Sequence, residues 1–144
     1  MTDARRVLFL CTGNSCRSQM AEGWLRHLAG ERVDVCSAGT QPAGLNSMAV
    51  AVMQEAGVDI SAHRSKHLGE LVNQDFLFVI TVCDAAREAC PVFPGALYQL
   101  HWSFEDPAAA AGPEAERRAV FRRVRDEIRE RVAEFAAREG FLPR

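Results

Sequence analysis

The sequence predicts an α/β protein built on a four-stranded parallel sheet with helices on both faces. Three observations predict it. An apolar run, Val7-Leu8-Phe9-Leu10, passes through a loop of small residues into a helical pattern. A second apolar run, Asp75 to Val82, has the length and composition of a strand buried on both sides. Strand and helix patterns alternate between and after these runs, which implies crossover connections and parallel strands. The 144 residues suit one domain, 1–144, able to bury roughly two-thirds of its unfolded surface.

The elements follow in order. Residues 7–10 read as a buried strand. Cys11 to Ser18 is a turn, and Met20, Ala21, Trp24, Leu25 and Leu28 recur at helical spacing until Gly30 stops the helix. Residues 33–38 alternate and read as a second strand. Residues 39–46 are loop, and Asn46 or Ser47 caps a helix over 48–56 that Gly57 ends. Residues 58–67 are irregular, with a short helix at 68–72. Residues 75–82 form the central strand. After Pro91 and Pro94, residues 96–100 form an edge strand. From Pro113 to Arg138 runs a long helix with the apolar stripe Val120, Phe121, Val124, Ile128, Val132 and Phe135.

Composition bounds the function. Net charge is −2 and charged residues make up 25%, which gives no support for nucleic-acid or membrane partners. No apolar run approaches the ~20 residues of a membrane span, and no signal-peptide core precedes Cys11. The expectation is a cytoplasmic monomer. In that compartment five cysteines point to catalysis, redox or metal binding rather than structural disulfides.

Cys11-Thr12-Gly13-Asn14-Ser15-Cys16-Arg17-Ser18 carries the strongest chemical signal. A strand, a small-residue loop and a helix N-terminus converge N–H groups and a positive dipole on one point. A thiol stands at the entry and a guanidinium at the exit. The loop amides, the dipole, Arg17 and the Ser18 hydroxyl all favour a Cys11 thiolate, the nucleophilic form. Arg17 can grip a tetrahedral oxyanion with two parallel N–H bonds. Thr12, Gly13, Asn14, Ser15, Cys16 and Arg17 are the candidate oxyanion-binding set, with Asn14 suited to a left-handed backbone conformation. The Cys16 side chain is expected to face the helix–sheet core, and Cys36 reads as structural.

In open α/β sheets ligands bind outside the carboxyl ends of the strands. Cys11 follows the first strand and Cys83 the third, so both sulfurs are expected on one rim. Displacement at an oxyanion also needs a proton donor. Asp106, among Trp102, Phe104 and Pro107, is the candidate, with burial expected to favour its protonated form.

The segments CTGNSCRSQMAEGW (Cys11 to Trp24), SAG (Ser37 to Gly39), TVCDAAREACP (Thr81 to Pro91), HWSFEDPA (His101 to Ala108) and FRRVRDEI (Phe121 to Ile128) resemble the thioredoxin-coupled arsenate reductases, which have the low-molecular-weight protein tyrosine phosphatase fold. The resemblance implies that Cys11 attacks arsenate while Arg17 and the loop hold its oxygens, with Ser18 beside the thiol. Asp106 would protonate the departing oxygen. Cys83 would then attack Cys11 as arsenite leaves, and Cys90 would attack Cys83. Thioredoxin, an external reductant, would reduce the Cys83–Cys90 disulfide, and no tightly bound cofactor is implied. In an intact helix residues 83 and 90 would lie roughly 10.5 Å apart, whereas a disulfide needs roughly 4.4–6.8 Å between Cα atoms. A helix here would therefore have to unwind on oxidation.

Some of these reductases carry potassium behind the loop, on residues matching Asn14, Glu22 and Ser37. A Thr and an Asp of that set are replaced here by Arg64 and Lys66, the chain's only lysine. The Lys66 ammonium is expected at the potassium position, bonding Asn14, Glu22 or Ser37. Position 36 also departs, with Cys36 where the family commonly has an aromatic.

Two rival readings remain. A phosphotyrosine phosphatase would share the cradle. However, that family usually has proline after the Arg-Ser, where this chain has Gln19, and aromatic rings beside the acid loop. Here only Tyr98, Trp102 and Phe104 are candidates for those rings. A metal or oxyanion sensor would use Cys83, Cys90 and one of His63, His67 or His101, but no tight Cys/His spacing supports it.

Overall fold

A computed structural model describes residues 5–89 and 92–143. Four strands, β1 (Arg6–Cys11), β2 (Asp34–Gly39), β3 (Phe76–Thr81) and β4 (Ala96–His101), form one sheet in the order β2-β1-β3-β4. Every pairing is parallel. The four helices are α1 (Arg17–Ala29), α2 (Ser47–Glu55), α3 (Asp84–Ala89) and α4 (Glu114–Arg138). Three 3-10 turns, at Gly30–Arg32, Leu68–Glu70 and Pro107–Ala109, complete the set. The α/β class and the four parallel strands expected from the sequence are what forms.

The side-chain pattern explains the layers. β1 and β3 are the inner strands, and successive residues feed opposite faces of the pleat. Val7, Phe9, Phe78 and Ile80 enter a large core with Met20, Trp24 and Leu25 of α1, Val52 and Met53 of α2, and Val124, Ile128 and Phe135 of α4. Leu8, Leu10 and Val79 enter a smaller core on the other face, closed by Leu71 and Phe93 and by Leu68 of a 3-10 turn. The helical cover is thus unequal, thick on one face and a single short turn with two loop side chains on the other. Asn46 caps α2, its side chain accepting from the N–H groups of Met48 and Ala49 at 2.9 and 3.0 Å.

This layout positions the rim. β1 ends at Cys11 and β3 at Thr81, adjacent and parallel, so their carboxyl ends open side by side. Val82 continues the pairing, its N–H donating to the Leu10 carbonyl at 2.8 Å. Cys83 therefore arrives beside the loop that starts at Cys11.

Candidate active site

The loop from Cys11 to Cys16 is fixed from outside. Its carbonyls accept from a second loop running alongside: Thr40 N–H to Cys11, Gln41 to Thr12, Ala43 to Gly13 and Asn46 to Ser15. The Asn14 carbonyl accepts from the Gln19 side chain at 3.0 Å. With carbonyls facing out, the N–H groups of Gly13, Ser15 and Cys16 have no protein acceptor among the described residues. This is the backbone arrangement of an anion cradle. Asn14 holds the turn with φ +48°, the left-handed conformation its residue type tolerates. The close approach of the two loops requires glycine at position 39, where a Cβ would stand 2.4 Å from the Thr12 carbonyl oxygen.

One main-chain donor sets the hydrogen-bond directions at Cys11. The Lys66 main-chain N–H, which can only donate, reaches Asn14 Oδ1 at 2.9 Å. That fixes the amide, so Asn14 Nδ2 donates to Ser18 Oγ at 2.8 Å and Ser37 Oγ at 2.9 Å. The Ser37 hydroxyl donates to the Glu22 carboxylate. Ser18, already accepting, has its own proton free for Cys11 Sγ at 2.8 Å. The Asn14 N–H reaches the same sulfur at 3.2 Å. Two donors thus converge on Cys11, as a thiolate requires.

Cys16, at the start of α1, behaves differently. Burial pushes its thiol up to about 12, with Asp106 and Cys11 adding and Arg17 opposing. It stays protonated beside Cys11 and does not compete as a nucleophile. Its side chain belongs to the large core, as expected, and it also lines the cavity.

That cavity, of about 240 Å³, is lined by Cys11, Thr12, Gly13, Ser15, Cys16, Arg17, Ala43, Asp106 and Ala108. Arg17 lies across it, Nη1 donating to the Phe104 carbonyl at 3.0 Å and Nη2 3.8 Å from Asp106 Oδ2. The other Asp106 oxygen accepts from the Ala108 N–H at 3.0 Å, so one carboxylate oxygen is anchored and the other faces the guanidinium. The expected apolar enclosure of Asp106 is corrected. Its side chain is 44% exposed, because Trp102 turns into the core against Phe9 and Phe135. Tyr98 packs on Phe78, and among the described residues no aromatic ring lines the cavity. Cys83 is buried, its Sγ 3.5 Å from Thr12 Oγ1, which puts a second thiol at the cradle's edge. Cys90 and Pro91 lie outside the described residues.

The expectation for Lys66 is also corrected. Its ammonium bonds the Arg64 carbonyl at 3.4 Å on the surface, and only its main-chain N–H reaches Asn14. The carboxylate of Glu22 is met by Arg26, one helical turn on, at 2.8 Å. Arg26 also donates to the Val35 carbonyl at 2.7 Å and to His63 Nε2 at 2.9 Å. The oxygens that would serve potassium are engaged: Asn14 Oδ1 by an N–H, Glu22 by Ser37 and Arg26, Ser37 by Asn14. This set does not fit a bare cation. Among the described residues no His, Cys, Asp or Glu group could hold a metal ion.

Arg26 was not among the residues expected from the sequence, and His63 was considered there only as a metal ligand, not as a member of this network. Arg26 carried a legible signal, four residues after Glu22 on one helix face. His63 donates from Nδ1 to Gln19 Oε1 at 2.9 Å, since the Gln19 amide nitrogen serves Asn14 and Arg64 carbonyls. Its Nε2 then accepts from Arg26, so the ring is neutral. Burial holds it below its ordinary value; Glu22 and Asp59 oppose, while Arg26 and Lys66 reinforce.

Residues 6–139 match the family model described as low molecular weight phosphotyrosine protein phosphatase. An arsenate reductase of Halalkalibacterium halodurans is 48% identical over 130 residues, covering 90% of this chain and 94% of that protein. A solved structure of an arsenate reductase in the phosphate binding state superposes with a TM-score of 0.80 at 34% identity, covering 93% of this chain and 98% of the other. The thioredoxin-dependent arsenate reductase of Corynebacterium glutamicum gives a TM-score of 0.73 at 30% identity, covering 93% of this chain and 61% of the other. Among the described residues no helix is long and apolar enough to cross a membrane.

Proposed function

The chain belongs to the low molecular weight phosphotyrosine protein phosphatase family, and we propose that it uses that family's cradle to reduce arsenate to arsenite. The observation that carries the reading is Cys83, a buried thiol 3.5 Å from Thr12 at the edge of the Cys11 loop. A phosphatase has no use for a thiol there. The cavity lining, free of aromatic rings, also suits a bare oxyanion better than a phosphotyrosine ring. The similarity to proteins named arsenate reductase over most of both chains supports the same choice.

In this mechanism the loop N–H groups and Arg17 hold the arsenate oxygens. The Cys11 thiolate, with Ser18 and the Asn14 N–H at its sulfur, displaces one oxygen, which leaves as water once Asp106 Oδ2 has relayed a proton to it from the solvent its half-exposed side chain meets. Cys83 attacks Cys11 Sγ and a Cys11–Cys83 disulfide forms. The S–As bond breaks with its electron pair passing to arsenic, so As(V) becomes As(III) and arsenite leaves. Cys90 then attacks Cys83, returning Cys11 as a thiol and leaving a Cys83–Cys90 disulfide. The two thiols supply both electrons, so no resident cofactor is needed. Thioredoxin is the proposed external reductant, as in the Corynebacterium relative, and the cytoplasm, where thioredoxin is kept reduced, is the proposed compartment.

The test is arsenate-dependent NADPH oxidation with thioredoxin and thioredoxin reductase, comparing Cys11→Ser, Cys83→Ser and Cys90→Ser. Loss of turnover in all three supports the cascade. Turnover that survives in Cys83→Ser refutes it.

A further inference from the structure

A second polar chain sits behind Cys83, outside the cradle. His101 Nε2 lies 2.7 Å from Asp84 Oδ1, and His101 Nδ1 lies 2.7 Å from Thr81 Oγ1. A carboxylate has no proton to give, so Nε2 is the donor and Asp84 the acceptor. The His101 hydrogen bond is the largest influence holding the Asp84 carboxyl below its ordinary value. Thr81 and His101 are the paired last residues of β3 and β4, and Asp84 is the first residue of α3. The bond therefore ties the helix start to two strand ends, and the tie brackets Cys83.

The two sides of this tie differ. Upstream, Val82 N–H donates to Leu10 and Trp102 N–H to Thr81, both at 2.8 Å. Downstream, only Ala86 of residues 85–89 is buried. Among the described residues these five make no hydrogen bond outside the helix and its entry bond from Arg87 to Cys83. A six-residue helix has little stability of its own, so α3 can open from its far end while its start stays fastened.

We propose that Asp84 and His101 are positioning residues for Cys83, forming the fixed stop at which unwinding of α3 ends. This rests on the reading that Cys83 attacks Cys11. The stop keeps the Cys83 sulfur beside Thr12 while the rest of the segment rearranges. Without it, the nucleophile drifts with the opening helix, and reaction rates respond steeply to such displacement.

The experiment is a single turnover of the reduced full-length protein with arsenate and no thioredoxin, following arsenite release. For Asp84→Ala the maximal rate is expected to fall on the order of tenfold or more, with the half-saturating arsenate concentration and the affinity for inorganic phosphate unchanged. Asp84→Asn, whose amide oxygen still accepts from Nε2, is expected to retain most of the rate, and His101→Ala to match Asp84→Ala. Asp84 is 67% exposed, so its substitution removes no core contact, and unchanged phosphate affinity reports an intact cradle. A parent-like rate in Asp84→Ala, or an equal loss in Asp84→Asn, overturns the stop. Cys83→Ser in the same assay separates the two claims. If Cys83→Ser is inactive while Asp84→Ala is unaffected, the stop fails and the mechanism stands. If Cys83→Ser still releases arsenite at the parent rate, the mechanism itself fails.

Discussion

Replacing Asn14 with alanine tests how the cradle is held. The Asn14 side chain is buried and makes three hydrogen bonds, to Ser18, Ser37 and the Lys66 N–H, at 2.8, 2.9 and 2.9 Å. Each is worth about 1 kcal/mol net. The residue also sits at φ +48°, where alanine is disfavoured relative to asparagine by about 1 kcal/mol. The sum is roughly 4 kcal/mol, a large share of the roughly 5–15 kcal/mol typical of a domain. Urea denaturation should show that loss, and the melting temperature should fall by roughly 8–16 °C. Asn14→Asp separates the parts. It keeps the acceptor for Lys66 but offers an acceptor where both serines need a donor. The Ser18 hydroxyl can then turn to the new carboxylate, and alkylation of Cys11 at neutral pH should slow. An Asn14→Ala protein within about 1 kcal/mol of the parent would refute the account of the loop's support.

Three further outcomes are expected. His63 is held below its ordinary value of 6.5 chiefly by burial, so the folded state binds fewer protons than the unfolded one. Its contribution to stability is therefore present above that value and lost as pH falls through the lower folded one. His63→Gln should make the decline in stability on acidification shallower, and an unchanged slope would count against it. Because Arg26 already balances Glu22, the melting temperature should be the same in potassium and sodium chloride, and a rise specific to potassium would contradict that balance. Amide exchange at residues 85–89 should quicken on oxidation of the Cys83–Cys90 pair, since an intact helix holds residues 83 and 90 too far apart to bond. Identical exchange in both redox states would exclude unwinding.

What was legible from residues alone was local. Cys11 to Ser18 announces a cradle because its residue types, loop length and following helix all act within ten positions. Asn14 was expected in a left-handed conformation and adopts it, and Asn46 caps α2 as its type suggests. Of the contacts between distant segments, the strand order made only the shared rim of Cys11 and Cys83 legible; the side-chain contacts were not. Lys66 was assigned to the buried network through its charge, yet it enters through its main chain, which no residue type reveals. Asp106 was expected among aromatic rings because Trp102 and Phe104 are near in sequence. Strand β4 and the turn after it instead send Trp102 inward and leave the carboxylate half exposed. The stitching of residues 40–46 along the cradle, and the tie from Asp84 to His101, depend on which strands become neighbours. The order β2-β1-β3-β4 decides that, and no single segment contains it.

The most direct measurement of the central claim is the fate of one arsenate in Cys90→Ser, where the cascade has no second resolving thiol. Reduced protein given one equivalent of arsenate should release arsenite and accumulate a Cys11–Cys83 disulfide, identified by peptide mass mapping. Arsenite release without that disulfide, or no arsenite with both thiols still free, would contradict reduction by Cys11 and Cys83.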